Sequence, residues 1–264
     1  MSIRKLGRVL IVAGSDPVAG AGLQADLKTV TALGGYGMTA VTAITVQDTQ
    51  NVFKVVALDP DLVGQQIRVC LQDIGADCIK LGMLATQEIV AVVAKVLAEF
   101  PHIPVVADPV LAGTGGGVLL EKGGYDLFMT ALLPRLTLLT PNLPESAALT
   151  GLTVVSLPEM EQAARRLQAL GSGAVLVTGG HLEGAVVTDV LVTERDVDYF
   201  QASRLPGPGF HGTGCVLASA IATHLAFGRS VRDAVMAARL HVRETMTNSL
   251  DLGKGQRLLW VQTN

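Results

Sequence analysis

Residues 8–46 decide the fold: RVLIVA (8–13), GSDPVAG (14–20), AGLQADLKTVTAL (21–33), GGYG (34–37), MTAVTAITV (38–46). The first apolar run is too short for a helix and reads as a buried strand. A glycine-rich loop follows it. Residues 21–33 then place apolar side chains at helical spacing and stop at Gly34-Gly35, where glycine favours helix termination. Residues 38–46 are rich in β-branched residues and read as a second strand. A strand, a helix and a second nearly all-apolar strand form a parallel crossover unit, buried on both faces.

The same alternation continues outward. Residues 61–74, 87–100, 125–133 and 158–170 have helical spacing, with strands at 78–81, 105–107, 136–139 and 174–178. Residues 186–192 and 197–201 read as a hairpin, and two helices, 214–227 and 231–249, close the chain. The expectation is an α/β fold over residues 1–264: one three-layer αβα domain, with a central mostly parallel sheet and helices on both faces. Hydrophobic residues make up 49% of the chain but aromatics only 4%. The core must therefore be built from Ala, Val, Leu and Ile, which suits doubly covered parallel strands.

Charge and composition exclude several classes of function. The net charge is -3 and there is no basic stripe, so nucleic acid is not an expected partner. Apolar runs such as 214–227 are broken by Ser, Thr and His and fall short of the roughly 18 residues of a membrane span. The N-terminus is basic and then apolar, but it passes into the glycine-rich loop without a cleavage pattern and reads as a strand, not a secretion signal. The cysteines, Cys70, Cys78 and Cys215, are odd in number and lack zinc spacing, so a reducing, cytoplasmic compartment is expected.

Ligands of open parallel sheets bind outside the carboxyl ends of the strands, so the loops there carry the chemical reading. The most informative is GPGFHGTGC, residues 207–215, which leads into a helix. Its glycines leave free backbone N–H groups at a helix start, a place that stabilises anions. Cys215 falls in the first turn, where the same field is expected to lower its pKa and favour a thiolate able to take a proton from a hydroxyl. The N–H groups would hold charge on a transferred phosphoryl group. The competing reading is a turn before a core helix, with Cys215 buried and inert. Asp108, just past a strand, and Glu145, near a helix start, could place magnesium beside a nucleotide triphosphate, largely through water. A strand-end turn and a helix-terminal charge are the structural alternatives for those two acids. Residues 20–25 formally fit G-x-G-x-x-[GA], but the strand ends six residues too early, and residues 207–212 fit as well; no G-x-x-x-x-G-K-[ST] loop occurs. Met83 and Met129 read as core. His102, His181, His211, His224 and His241 show no base or metal spacing.

Seven segments, in order, carry a family likeness: AGSDPVAGAGLQADLKT (13–29), GGYGMTAVTAITVQDT (34–49), IKLGML (79–84), ADPV (107–110), TPNLPE (140–145), TGGHL (178–182) and HGTGC (211–215). On these the chain resembles the hydroxymethylpyrimidine and phosphomethylpyrimidine kinases of thiamine biosynthesis, within the ribokinase superfamily. The resemblance implies a ribokinase-like fold, commonly dimeric, that uses ATP and Mg2+ to phosphorylate a hydroxymethyl group and then its monophosphate. It implies that Gln47 bonds the pyrimidine, that Met83 lines the pocket, and that Gly14, Asp16 and Gly22 shape the substrate side. Gly212, Thr213 and Gly214 would form the anion hole, with Cys215 as base. Asp108, Asn142 and Glu145 would serve magnesium and the ATP phosphates, with Thr178 and Gly179 on the nucleotide side. The chain departs from the family in three places: Thr178 where Lys is common, Leu111-Ala112-Gly113-Thr114 after the Asp-Pro-Val strand end, and Pro17-Val18-Ala19-Gly20 in the opening loop.

Three other functions compete. A pyridoxal or pyridoxine kinase shares the Gly-Thr-Gly-Cys ending; Gln47 favours a pyrimidine, since an amide both donates and accepts. A dinucleotide oxidoreductase would need its first glycine directly after strand one. A non-catalytic binding protein would not need the set Asp108, Glu145, Thr213 and Cys215.

Overall fold

The computed structural model describes residues 6–111, 120, 122–207 and 209–262. Its centre is a nine-stranded sheet in the order β3-β2-β1-β4-β5-β6-β7-β8-β9. The strands are β1 (Arg8–Ser15), β2 (Tyr36–Gln47), β3 (Val52–Ala57), β4 (Cys78–Leu81), β5 (Val105–Ala107), β6 (Leu138–Leu139), β7 (Val175–Val177), β8 (Val186–Val192) and β9 (Val197–Ser203). From β2 to β7 neighbouring strands are parallel, and β3, β8 and β9 add antiparallel edges. A small second sheet pairs β10 (Phe210–His211) with β11 (Arg257–Leu258). The helices are α1 (Gly22–Ala32), α2 (Pro60–Asp73), α3 (Gln87–Glu99), α4 (Lys122–Leu127), α5 (Leu143–Thr150), α6 (Leu157–Ala169), α7 (Thr213–Ala226) and α8 (Val231–Thr247).

Because successive strand side chains point to opposite faces, each apolar strand feeds two cores. On β1, Leu10 and Val12 join one cluster while Val9, Ile11 and Ala13 join the other. The first cluster packs α2, α3 and α6 against the sheet through Ile67, Val93 and Leu167; the second packs α1, α7 and α8 through Val30, Ile221 and Val235. This is the three-layer α/β architecture expected from the alternation. One position breaks the apolar pattern. Lys80, midway along β4, is wholly buried and forms a 2.7 Å ion pair with Asp26 of α1. Asp26 also accepts a 2.7 Å bond from Ser219 of α7, so this polar cluster ties both helices to the sheet.

Several elements depart from expectation. The helix expected over 125–133 is α4 followed by a π turn, Phe128–Leu132, and a 3-10 turn, Leu133–Arg135, where Pro134 cannot continue the helical ladder. The edge strand β3 is solvated on much of its surface, with Phe53 65% exposed, so its alternation does not mark a buried face. Helix α5 is short, yet it is announced by Asn142-x-x-Glu145, a capping box. Strands β10 and β11 pair residues far apart in sequence, which local pattern cannot reveal. Most of the 111–117 loop, including Ala112, Gly113 and Thr114, lies outside the described residues.

Candidate active site

The chain leaves β1 toward β2 and β3 on one side, then returns to β4 on the other. The loops that follow β1 and β4 therefore diverge and leave a crevice at their carboxyl ends. Together with the loops after β2, β5, β6 and β7 and the start of α7, they enclose a cavity of about 1020 Å³. Gly14, Asp16, Gly22, Gln47, Met83, Asp108, Asn142, Glu145, Thr178, Gly212, Thr213, Gly214 and Cys215 all line it. Gly179 does not. Its N–H bonds Asp189 Oδ1 at 2.8 Å and it is buried, while Gly180 and His181 reach the cavity instead.

The loop after β1 is organised around Asp16. Its carboxylate accepts from the N–H groups of Val18 (3.0 Å), Gly20 (3.1 Å) and Ala21 (2.8 Å), and lies 3.2 Å from His211 Nε2. Burial opposes ionisation of Asp16, but His211 and the N–H groups of Ala21 and Val18 outweigh it and hold the carboxyl below its ordinary value. Asp16 thus shapes the substrate side through the backbone. Gln47, the last residue of β2, is half-buried at the cavity wall, with its amide beside His211 and Thr45. Met83 packs against Gly14, where any side chain would overlap its methyl group.

Gly212 precedes the first residue of α7, and its φ of 83° suits glycine; a methyl group there would also overlap the Gly20 carbonyl. Among the described residues no side chain caps α7, and the same holds for α6 and for α1, whose first residue Gly22 also lines the cavity. By contrast, Asp59, Thr86 and Ser230 cap α2, α3 and α8. The unpartnered first N–H groups of α7 give the cavity a positive pole.

Cys215 corrects one expectation. Its helix-start position was to favour thiolate, yet burial pushes its pKa well above the ordinary value. Lys80 draws it down, and the negative charges of Asp26 and Asp108 add to the rise. Cys215 is a thiol at neutral pH, bonded to the Asp108 carboxyl and to the N–H of Gly22.

Asp108, the residue just past β5, is 6% exposed and lies against the start of α7; a methyl on Gly214 would sit 3.3 Å from its Oδ2. Burial raises its pKa to about 6, against the pull of Lys80. Glu145 is raised further, to about 8, first by burial and then by the charge of Asp108. Asn142 and Glu145 also form the α5 capping box: Glu145 Oε2 accepts from the Asn142 N–H at 2.8 Å, and Asn142 Oδ1 accepts from the Glu145 N–H at 2.9 Å. The Asn142 side-chain oxygen is thereby committed to the helix. Among the described residues no group of three or more His, Cys, Asp or Glu is arranged to hold a metal ion. Two features escaped the sequence reading: His211, whose role needs the loop after β1 beside it, and Lys80, hidden in an apolar strand.

The profile of the phosphomethylpyrimidine kinase family matches residues 16–260. The chain is 43% identical to the hydroxymethylpyrimidine/phosphomethylpyrimidine kinase of Streptomyces coelicolor, covering 94% of this chain and 91% of that one. It is 41% identical to the thiamine biosynthesis bifunctional protein of Geobacter sulfurreducens, over 94% of this chain but only 51% of that longer protein. Among solved structures, a phosphomethylpyrimidine kinase from Clostridium difficile superposes with a TM-score of 0.81 at 33% identity, covering 91% of this chain and 99% of that one. The pyridoxal kinase of Bacillus subtilis, in an ADP complex, superposes with a TM-score of 0.90 at 32% identity over 98% of both chains.

Proposed function

The chain belongs to the phosphomethylpyrimidine kinase family, and from that premise we propose that it phosphorylates 4-amino-5-hydroxymethyl-2-methylpyrimidine and then its monophosphate with ATP, in thiamine biosynthesis. The observation that carries this reading is the uncapped start of α7, with Cys215 in its first turn, in one cavity with Gln47. Gln47 offers both an acceptor and a donor to an aminopyrimidine edge. The N–H groups of residues 213–215 are placed to hold charge on the phosphoryl group in flight, where positioning and electrostatics supply most of the catalysis.

Because Cys215 rests as a thiol, the base role takes a modified form. The substrate hydroxyl gives its proton to Cys215 Sγ while Cys215 passes its own to Asp108, which is ionised above pH about 6. The hydroxyl oxygen bonds phosphorus as the bond to the ADP leaving oxygen breaks. Burial raises the pKa of both Asp108 and Glu145, and the charge of Asp108 adds to the rise at Glu145; two buried carboxyls on one cavity wall are a donor set that fits a hard divalent cation. Asp108 and Glu145 would position Mg2+ largely through its water ligands, which leaves Asp108 able to take the Cys215 proton; the ion would neutralise triphosphate charge there. Thr178 would lie on the nucleotide side.

A homodimer fits the exposed apolar residues Ile44, Val46 and Val56 on one face of β2 and β3. No helix among the described residues is long and apolar enough to cross a membrane, and we place the activity in the cytoplasm. The likeness to pyridoxal kinase gives the second reading. An ADP-release assay with MgATP separates them, comparing hydroxymethylpyrimidine, its monophosphate and pyridoxal. Turnover of both pyrimidines is expected; turnover of pyridoxal alone overturns the proposal.

A further inference from the structure

His211 joins two residues that the sequence treats separately. The residue is 7% exposed, and its Nε2 lies 3.2 Å from Asp16 Oδ2 and 3.2 Å from Gln47 Nε2. At the other end of the same amide, Gln47 Oε1 lies 3.4 Å from Thr45 Oγ1. Thr45 is also buried, and its hydroxyl donates to the Ser15 carbonyl at 2.9 Å.

The donor and acceptor inventory of this chain is decisive. Asp16 is held ionised by its N–H donors, so its oxygen only accepts. The His211 Nε2 facing it must carry a proton, whether the ring is neutral or charged. An Nε2–H cannot accept from an amide N–H. Thr45 has one hydroxyl proton and spends it on Ser15, so toward Gln47 it can only accept. Both neighbours therefore ask for the same thing: amide oxygen toward His211, amide nitrogen toward Thr45. The two ends of a glutamine amide have nearly the same shape, and hydrogen bonding alone chooses between them. A half-turn about the last torsion of Gln47 lets its oxygen share the His211 Nε2–H with Asp16 and turns its N–H toward Thr45 Oγ1, replacing two mismatched contacts.

We infer that His211 and Thr45 are specificity-determining residues: by fixing the sense of the Gln47 amide, they select the donor–acceptor pattern a ring must present in this cavity. The inference deepens the pyrimidine-kinase reading and rests on it for the identity of the ligand. With the hydroxymethyl group anchored toward Cys215, the ring cannot turn over to suit the amide. A 4-aminopyrimidine offers an amine donor beside a ring-nitrogen acceptor. Its 4-oxo analogue offers a carbonyl acceptor beside an N–H donor, the reverse order. One amide sense accepts the first and leaves the second with two mismatched contacts. The chain of control runs from Asp16 through His211 to Gln47, with Thr45 and the Ser15 carbonyl closing it from the other side.

The test compares binding of the 4-amino and 4-oxo hydroxymethylpyrimidines by calorimetry in the wild type, His211→Phe and Thr45→Val, each first confirmed as folded by thermal melting. Sites that leave buried polar groups unpaired against the wrong ligand reject it by orders of magnitude, so a wild-type preference for the amine of about 100-fold or more is expected. Each variant is expected to lower that ratio about tenfold or more, chiefly through tighter binding of the 4-oxo ring, because Gln47 is then able to turn. Thr45→Val gives up the bond to the Ser15 carbonyl but keeps the Asp16–His211 contact, so the conclusion does not depend on His211→Phe folding. An unchanged ratio in folded variants overturns the inference. If the wild type binds neither pyrimidine, the functional reading fails separately, and the amide sense is still read in the ligand-free protein by NMR. Contacts from the Gln47 amide protons to the Thr45 methyl group support the inference, and contacts to the His211 ring overturn it.

Discussion

Replacing Glu145 with Gln tests whether the carboxyl beside Asp108 carries an electrostatic cost that a ligand later relieves. Glu145 is 8% exposed, and its pKa rises from the ordinary 4.5 to about 8, first through burial and then through Asp108. A carboxyl raised on folding binds its proton more tightly in the native state. Its contribution is therefore fully present below pH 4.5, where both states are protonated, and is lost progressively as pH climbs toward and past 8. At about 1.4 kcal/mol per tenfold change in proton affinity, the full penalty above pH 8 is about 5 kcal/mol. Asp108 shares in it, so about 2–4 kcal/mol is expected from Glu145 alone. Gln keeps an oxygen to accept from the Asn142 N–H, so the capping box survives. The assay is urea unfolding of both proteins at pH 5 and pH 9. At pH 5 the stabilities should agree within about 1 kcal/mol; at pH 9 the variant should be the more stable by about 2–4 kcal/mol. A difference between the two proteins that does not change with pH refutes the reasoning. So does a wild type that is more stable than Glu145→Gln at pH 9.

Cys215→Ala should lower kcat about 100-fold while changing KM far less, since the thiol acts on the proton in flight; a near-normal kcat removes it from that role. Gly212→Ala forces a side chain into a φ of 83° and onto the Gly20 carbonyl, so a loss of about 2 kcal/mol or more is expected in unfolding, and wild-type stability would contradict the close approach. Lys80→Met strands Asp26 in the core and should cost about 3–5 kcal/mol, most of it recovered in the double variant Lys80→Met/Asp26→Asn; if the single variant unfolds like the wild type, the ion pair is not the tie it looks to be.

Periodicity alone was enough for the layers. Short apolar runs alternating with amphipathic segments can bury both faces only as a covered parallel sheet, and Leu10 and Ile11 lie in opposite cores as that requires. The glycines of HGTGC and the acids Asp108 and Glu145 were legible because each sits where parallel strands deliver their loops, whereas Gln47 was picked out only by the family likeness. What no local pattern contains is the environment. Cys215 was read as a thiolate from its helix position, and only burial beside Asp26 and Asp108 makes it a thiol. Lys80 looks like an interruption of a strand until α1 brings Asp26 to 2.7 Å. His211 gains its meaning from Asp16, 195 residues away, and from Gln47, 164 residues away. Sequence sets which groups each loop presents, because periodicity and turn chemistry are local. The protonation states and hydrogen-bond senses of those groups depend on desolvation and on partners brought from across the chain, and so they were decided only when the sheet closed around them.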